Sequence, residues 1–382
     1  MKNGLNSARR FHILRRKLMR IDITRPLNRL TALLLAVIIT ALAFLAALIA
    51  ENARDIPLDS AVRVNVGMIR DVQVQGDRIY CLENGGTLRC IDESGKFVWN
   101  VSVDPNAGFR VSNRGLAVWS GSRLSIFDRN TGVVIGSYSA QGEILSAIVG
   151  DVYAAAVLGP EHESNVVLTD RYGSVIDTLT EFKGVTVLDC GFFEGRELFW
   201  IMTLDATGSL PTCRIKTYKP GKKETGSIID MEQVLYSVMF RSSFICAVGT
   251  DYLREYDYTG AEKSSQMVTG FYLTALDQNS EDPLMLFVPN SQNAGEISDV
   301  RCLRGSSFRS LHMPVKCTGL QCYGDTVYGF SQTQVAVGSY SGGGVKLYNL
   351  PVAVNEVLGV TENRVAVASS GSSIYLINLP EE

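Results

Sequence analysis

The sequence contains one long uncharged apolar run, at residues 30–50, and short alternating segments after it. Residues 30–50 contain no charged residue, no proline and no glycine. A helix of this length reaches about 30 Å, which matches the hydrocarbon core of a bilayer. We therefore predict a single transmembrane helix at residues 30–50. Past residue 60, β-branched and aromatic residues alternate with polar ones, which predicts strands, and no segment is typical of a long amphipathic helix.

A strand-and-turn unit recurs through this second region. It consists of an apolar residue, two spacers, an aromatic or aliphatic residue, and then Asp with Gly three or four positions later. The Asp side chain can accept hydrogen bonds from main-chain amides two residues on, and glycine supplies the positive φ of the turn. The clearest copies have turn positions at Asp92, Asp128, Asp170 and Asp257, and weaker copies at Lys219, Arg304, Asn349 and Asn378.

These turns lie about 40 residues apart, a period typical of a four-stranded β-propeller blade. After Asn378 only four residues remain, too few for a fourth strand in the last blade. The alternating segment 61–66 precedes the first complete unit, so we expect it to complete the last blade and close the ring. We predict an all-β fold, an eight-bladed β-propeller preceded by one transmembrane α-helix. Seven blades, or two β-sandwiches without repeat symmetry, are the alternatives.

One repeat resembles a known family. Residues 86–99 have the strand–turn–strand arrangement and terminal tryptophan, Trp99, of a PQQ-like, quinoprotein-type propeller repeat, although the other copies lack that tryptophan. The non-enzymatic relatives of that family include the bacterial outer-membrane assembly lipoprotein. The combination of basic tail, span and divergent propeller also resembles an uncharacterised membrane-anchored family of Gram-positive bacteria. The second resemblance implies no known activity.

The formal net charge of -3 is the sum of two unlike regions. Residues 1–29 contain nine Lys or Arg and one acid, a net charge of +8, which leaves 27 basic and 38 acidic residues, or -11, for the remainder. Because positive residues stay on the cytoplasmic side of a span, we expect the N-terminus inside the cell and the strands outside. An uncleaved signal anchor is favoured over a signal peptide, whose apolar core is roughly 7–15 residues long.

The predicted organisation follows from these features. Residues 1–29 are a basic cytoplasmic tail, 30–50 the transmembrane helix, 51–60 a linker and 61–382 an extracytoplasmic propeller. The tail can lie along an anionic inner leaflet or serve only to orient the span. It is too short for specific nucleic-acid binding, so we expect no nucleic-acid partner.

Motifs for catalysis or metal binding are missing from the sequence. The three His and eight Cys include no His-x-x-x-His and no Cys-x-x-Cys spacing, so no zinc site is predicted. No phosphate loop or nucleophile elbow occurs. The adjacent cysteine pair of the quinoprotein enzymes is also missing, and we expect no cofactor and no enzymatic activity.

Two cysteines flank a predicted tight hairpin. A two-residue turn at Gly85 and Gly86 would place Cys81 opposite Cys90 as a non-hydrogen-bonded pair, with their Cα atoms about 4.5 Å apart. That separation allows a disulfide, and an extracytoplasmic location permits oxidation. A pair of reduced thiols is the alternative.

The function expected from these features is recognition. A propeller presents many loops on a rigid ring, so we expect a binding or scaffold module for an envelope protein or a glycan, through the blade loops or the central channel. The lipid bilayer is the expected partner of residues 30–50. A divergent quinoprotein-like or hydrolytic enzyme with a site in the channel, and a sensor that signals to the tail, are the alternatives.

Overall fold

The chain forms two compact units, Met1–Arg54 and Asp55–Glu382. The structure, a computed structural model, describes residues 37–41 and 56–381 except 162, 194–196, 223, 231–232, 242, 278–279, 281 and 293–294. Residues 37–41 are helical. Among the described residues, no helix has the length and apolar character needed to cross a bilayer. Residues 30–36 and 42–50 of the predicted span lie outside the described part, so the span stays a prediction.

The second unit consists of eight antiparallel sheets, the blades, within residues 56–381. Blades 1 and 2 contain β3–β6 (Ile69–Gln75, Arg78–Glu83, Thr87–Asp92, Phe97–Ser102) and β7–β10 (Gly108–Val111, Leu116–Ser120, Arg123–Phe127, Val134–Ser139). Blades 3 and 4 contain β11–β14 (Ile144–Val149, Tyr153–Leu158, Glu163–Asp170, Val175–Lys183) and β15–β18 (Thr186–Phe192, Phe199–Asp205, Thr212–Tyr218, Glu224–Asp230).

The remaining blades follow the same order. Blades 5 and 6 contain β19–β22 (Leu235–Phe240, Ile245–Gly249, Tyr252–Tyr256, Glu262–Met267) and β23–β26 (Phe271–Leu276, Met285–Pro289, Ile297–Arg304, Ser307–Cys317). Blade 7 contains β27–β30 (Gly319–Tyr323, Thr326–Phe330, Gln334–Ser339, Lys346–Asn349). Blade 8 contains β31–β33 (Glu356–Val360, Val365–Ser370, Ser373–Asn378) and, as its outer strand, β2 (Ala61–Val64).

The ring closes through β2. This strand pairs antiparallel with β33, from Ala61 opposite Ile377 to Val64 opposite Ile374. The first complete blade therefore follows a strand that belongs to the last one. The predicted eight-bladed propeller and its closure by the segment that begins at Ala61 are both confirmed.

A short strand lies in the predicted linker. Ile56–Pro57 forms β1, which pairs parallel with β30 as a fifth strand of blade 7. The amide of Leu58 donates a hydrogen bond to the carbonyl of Asn349 at 3.1 Å. The linker predicted at 51–60 is thus partly built into the ring.

The hydrophobic core is divided into clusters that lie between neighbouring blades. Each of eight clusters of buried side chains joins two neighbouring blades. The cluster that joins blades 8 and 1 contains Val64 and Leu376 from blade 8 with Ile79 and Ile91 from blade 1. Because the second strand of a blade faces a neighbouring blade on both sides, strands such as β4, β12 and β20 are buried almost throughout.

One of the eight predicted turn positions was wrong. Asn349 ends β30, which is the outer strand of blade 7 and not its third strand. The third strand of that blade is β29, so the corresponding turn follows Ser339. The turn there has the glycine-rich sequence of residues 342–344, which does not match the Asp-x-x-Gly pattern.

Candidate functional site

Two faces of the ring are distinguished by strand direction. We define the upper face as the one where the innermost strands begin, together with the hairpins between second and third strands, such as 84–86 and 371–372. The lower face carries the turns between third and fourth strands. Because the strands of every blade alternate in direction, each blade contributes the same kinds of loop to each face.

The predicted turn aspartates all lie on the lower face. The carboxylate of Asp92 accepts hydrogen bonds from the amides of Ser94 and Lys96, at 2.9 and 3.0 Å. Asp170 accepts from the amides of Tyr172 and Ser174, at 2.9 and 2.8 Å. Equivalent contacts reach Asp128 from residues 130 and 131, and Asp257 from residues 259 and 261. All of these hydrogen bonds go to Oδ1, so the aspartates hold the turns in shape.

Each of these turns also contacts the preceding blade. At Gly173, φ is +96°, and a β-carbon there would lie 1.9 Å from the carbonyl oxygen of Ser137 on the outer strand of blade 2. Glycine is therefore required at position 173 for two reasons: the turn needs a positive φ, and the neighbouring strand leaves no room for a β-carbon. The Asp–Gly unit is a docking element between blades, which the sequence pattern alone does not reveal.

The hairpin that contains Cys81 and Cys90 has a different register from the one predicted. Gly86 has a φ of +76° and donates its amide to the carbonyl of Glu83 at 2.9 Å, so the loop has three residues rather than two. This change pairs Cys81 with Arg89 and Tyr80 with Cys90. The two cysteines then face opposite sides of the sheet, in different core clusters, and both are buried free thiols. The geometry predicted for a disulfide is not present.

The innermost strands of six blades contain a bulge. Arg70, Leu145, Leu188, Tyr236, Thr274 and Leu358 are the residues left without a register partner. A bulge bends the strand and changes the direction of the side chains next to it. The strands of blades 2 and 7, β7 and β27, pair without such a shift. The bulges explain why bulky side chains such as Leu145 and Leu188 are 41% and 37% exposed.

An ion pair links two innermost strands that are not neighbours. The guanidinium of Arg110 in blade 2 lies 2.8 Å from the carboxylate of Asp189 in blade 4, past the innermost strand of blade 3. Asp189 directly follows the bulge at Leu188. Burial by itself would lower the pKa of Arg110, but the carboxylate of Asp189 outweighs burial and raises the pKa of Arg110. Arg110 therefore stays charged and braces this side of the channel.

Two further contacts join adjacent innermost strands. The amide group of Gln73 donates to the carbonyl of Phe109 at 2.8 Å and accepts from the amide of Val111 at 2.9 Å. The rings of Tyr236 and Tyr272 stack with centroids 5.4 Å apart between blades 5 and 6. The wall of the channel is thus tied together by side chains as well as by the blade cores.

A concave site on the upper face lies where the ring closes. It is a pocket of about 510 Å³ between the innermost strand of blade 1 and the strands of blade 8. Its apolar lining comes from Met68, Ile69, Val72, Leu358 and Ile374, and its polar lining from Arg70, Asp71, Glu356, Ser369, Ser372 and Ser373. Pockets for small ligands or for anchoring side chains have volumes of about 300–1,000 Å³. We call this site the closure pocket.

A buried carboxylate positions the loop above the closure pocket. Glu83 forms an ion pair with Arg89 at 2.6 Å and accepts the amide of Gly67 at 2.9 Å. Burial works to raise the pKa of Glu83, but the hydrogen bonds from Arg89 and Gly67 prevail and lower it. The carbonyl of Met68 accepts the amide of Asn84 at 2.8 Å. These bonds hold Met68 with 66% of its side chain exposed at the pocket's edge.

Other features of the described region are weaker candidates. A smaller cavity of about 320 Å³ lies on the lower side between blades 4 and 5, lined by Phe193, Tyr258 and Thr225 among others. His312 and Asp299 are 2.9 Å apart on the outer strands of blade 6, and both are largely exposed. No three His, Cys, Asp or Glu side chains come together as a metal site would require, within the described residues.

Sequence reasoning identified the turns but not the closure pocket. Met68 lies just before β3, and Asp71 lies within β3 next to a bulge that has no sequence signature. Glu356 and Ser372 are nearly 300 residues away. The sequence feature that points to the closure pocket is the alternating segment 61–66, because its pairing with the last blade brings the two ends of the propeller together.

Comparisons with known proteins agree with the fold. The structure is similar to that of BamB from Moraxella catarrhalis, with a TM-score of 0.55 and 12% identity over 84% of this chain and 99% of that chain. It is similar to Saccharomyces cerevisiae Sqt1, with a TM-score of 0.57 and 10% identity over 86% and 100% of the two chains. It is also similar to the C-terminal WD40 domain of Sif2, with a TM-score of 0.60 and 12% identity over 86% and 100%.

At these identities the likeness establishes the fold alone. No protein-family model matches the sequence, and no curated protein matches it. The protein is therefore defined as an eight-bladed β-propeller. Neither the quinoprotein-type family nor the membrane-anchored family of Gram-positive bacteria is shown by these comparisons.

Proposed function

We propose that this protein is a membrane-anchored, extracytoplasmic β-propeller that binds an envelope protein through its upper face and catalyses no reaction. The observation that carries the proposal is the closure pocket, with the strongly exposed Met68 at its edge. Exposed apolar side chains next to a concave site are typical of protein-interaction surfaces. Leu210 and Met267, 59% and 64% exposed, extend apolar surface along the upper ends of blades 4 and 5.

The anchoring part of the proposal is supported by the sequence. The uncharged run at 30–50 follows nine basic residues, which favours an inside N-terminus. A protein partner is favoured over a glycan because aliphatic side chains such as Met68 gain more from burial against another protein than against a polar sugar.

Site-specific photocrosslinking tests the binding surface. The photoreactive residue p-benzoyl-phenylalanine in place of Met68 should give a discrete adduct with one envelope protein in whole cells. The same residue in place of Tyr172, which is 75% exposed on the lower face, is the matched control and should not give that adduct. Equal adducts at both positions, or none at Met68, would contradict the proposed surface.

Cysteine labelling tests the orientation. All eight native cysteines are buried, so the wild-type protein provides a low background for a membrane-impermeant maleimide. Ser122→Cys, on an exposed upper hairpin, should be labelled in intact cells. Ser7→Cys, in the tail, should be labelled only after permeabilisation. The reverse pattern would overturn the proposed orientation.

A further inference from the structure

The closure pocket combines an apolar floor with two carboxylates. Ile69, Val72 and Leu358 belong to the core cluster that joins blades 8 and 1, and Ile374 is buried in it. Asp71 and Glu356 line the same pocket from the two sides of the junction. A side chain that enters the pocket would therefore meet hydrocarbon below and, around it, two carboxylates, serine hydroxyls and the guanidinium of Arg70.

These two carboxylates are not neutralised by the protein. Among the ion pairs of the described residues, none includes Asp71 or Glu356; the carboxylate of Asp71 accepts one hydrogen bond, from the side-chain amide of Gln73 at 3.3 Å. Two arginines at this pocket bond to other groups. Arg70, which lines the pocket, donates to the carbonyl of Pro105, and Arg63 donates at 2.9 Å to the hydroxyl of Ser373, another lining residue.

We propose that the closure pocket receives a lysine or arginine side chain of the protein partner. The methylene stem packs on the apolar floor near Leu358, and the cation lies against Asp71 and Glu356. Long basic side chains commonly bury their stem and keep the charged end among polar groups. The hydroxyls of Ser369 and Ser372 add acceptors that suit an ammonium or guanidinium group. This inference rests on the proposed binding function of the upper face.

Peptide binding tests the inference directly. The full chain is reconstituted in nanodiscs of uncharged phosphatidylcholine and titrated with fluorescein-labelled Ser-Gly-Lys-Gly-Ser, and with peptides that carry Arg, Gln or Glu at the centre. Anisotropy should show tighter binding of the Lys and Arg peptides. Asp71→Asn and Glu356→Gln should each weaken that binding about two- to fivefold, the effect expected for one partly exposed charge pair.

A matched control keeps the comparison free of folding effects. Glu362→Gln makes the same chemical change on the lower side of blade 8 and should leave binding of the Lys peptide unchanged. Thermal unfolding of all three variants should match that of the wild type, since each replacement is isosteric.

Three results would overturn the inference. They are equal binding of the Lys and Gln peptides, preferred binding of the Glu peptide, which would indicate an anion site at Arg63 and Arg70, and no saturable binding of the Lys peptide up to about 10 mM. If the adduct at Met68 forms nevertheless, the upper face still binds a protein and only the basic-residue pocket is rejected.

Discussion

The indole of Trp99 fills the space in which a side chain on Gly132 would have to lie. A β-carbon at Gly132 would be 2.6 Å from the indole ring, and the indole nitrogen donates to the carbonyl of Arg129 in the same turn at 3.0 Å. Trp99 belongs to blade 1 and the turn to blade 2. The tryptophan that marks the most family-like repeat therefore fastens two blades together.

Gly132→Ala is expected to destabilise the propeller through this contact. The φ of +69° costs an alanine about 1–2 kcal/mol, and the clash with Trp99 adds about 1–3 kcal/mol. Gly121→Ala is the control, because Gly121 has a φ of +54° but no atom within 4 Å of the added carbon. Urea unfolding, monitored by tryptophan fluorescence, measures the free energy of unfolding of both variants. Equal losses would show that the ring of Trp99 moves aside without cost.

The closing strand should contribute stability through Val64. This side chain is 2% exposed in the core between blades 8 and 1, whereas Val62 on the same strand is 42% exposed. We expect Val64→Ala to lower the free energy of unfolding by about 2 kcal/mol and Val62→Ala by less than about 1 kcal/mol. The comparison uses the same chemical change in both variants. Similar losses would indicate that β2 is not seated as the structure shows.

The turn aspartates make the fold sensitive to acid. Hydrogen bonds from the amides of Ser174 and Tyr172 lower the pKa of Asp170, against a weaker opposing effect of burial. A lowered pKa means that the stabilisation is present above the unfolded-state value of about 3.9 and is lost as pH falls through the folded-state pKa. Asp170→Asn should therefore destabilise the protein at pH 7, and the difference from wild type should shrink towards pH 3. Urea titrations at both pH values test this, and a constant difference would contradict it.

The eight cysteines are expected to be reduced and unreactive in the native protein. Burial raises the pKa of Cys81 to about 12 and that of Cys90 to about 11, so neither is a thiolate at neutral pH. Iodoacetamide should modify none of them in the native state and all eight after denaturation without reductant. If, without reductant, the peptides of Cys81 and Cys90 are linked and weigh 2 Da less than the two reduced peptides together, the prediction is wrong and the two cysteines form a disulfide.

The fold was predictable because its repeat has a local physical cause. A turn such as the one after Asp128 needs a carboxylate acceptor and a glycine at a defined spacing, so it leaves a pattern in the sequence. After Ser339 in blade 7 the turn is glycine-rich and lacks the Asp–Gly pattern, so the nearest match in the sequence is Asn349, at the end of the following strand. The closing strand was predictable because the last blade lacked one.

The candidate site was less predictable because its parts depend on register and on distant contacts. One additional residue in the loop ending at Gly86 shifts the strand register by one, so Cys81 and Cys90 lie on opposite faces of the sheet instead of facing each other. Loops of two and three residues here have the same glycine-rich composition. The pairing of Arg110 with Asp189 spans a blade and depends on the bulge at Leu188. Such relationships follow from the assembled ring and not from any one segment.

The strand β1 determines where a mechanical load enters the ring. The chain from the N-terminal side meets blade 7 first, through the parallel pairing of Ile56 with Tyr348, and only afterwards forms the strand that closes blade 8. A pull on the N-terminal segment is therefore resisted by blade 7 before any tension reaches Val64 and its partners. The pairing of β1 with blade 7 therefore shields the closing strand β2 from force applied to the N-terminal segment.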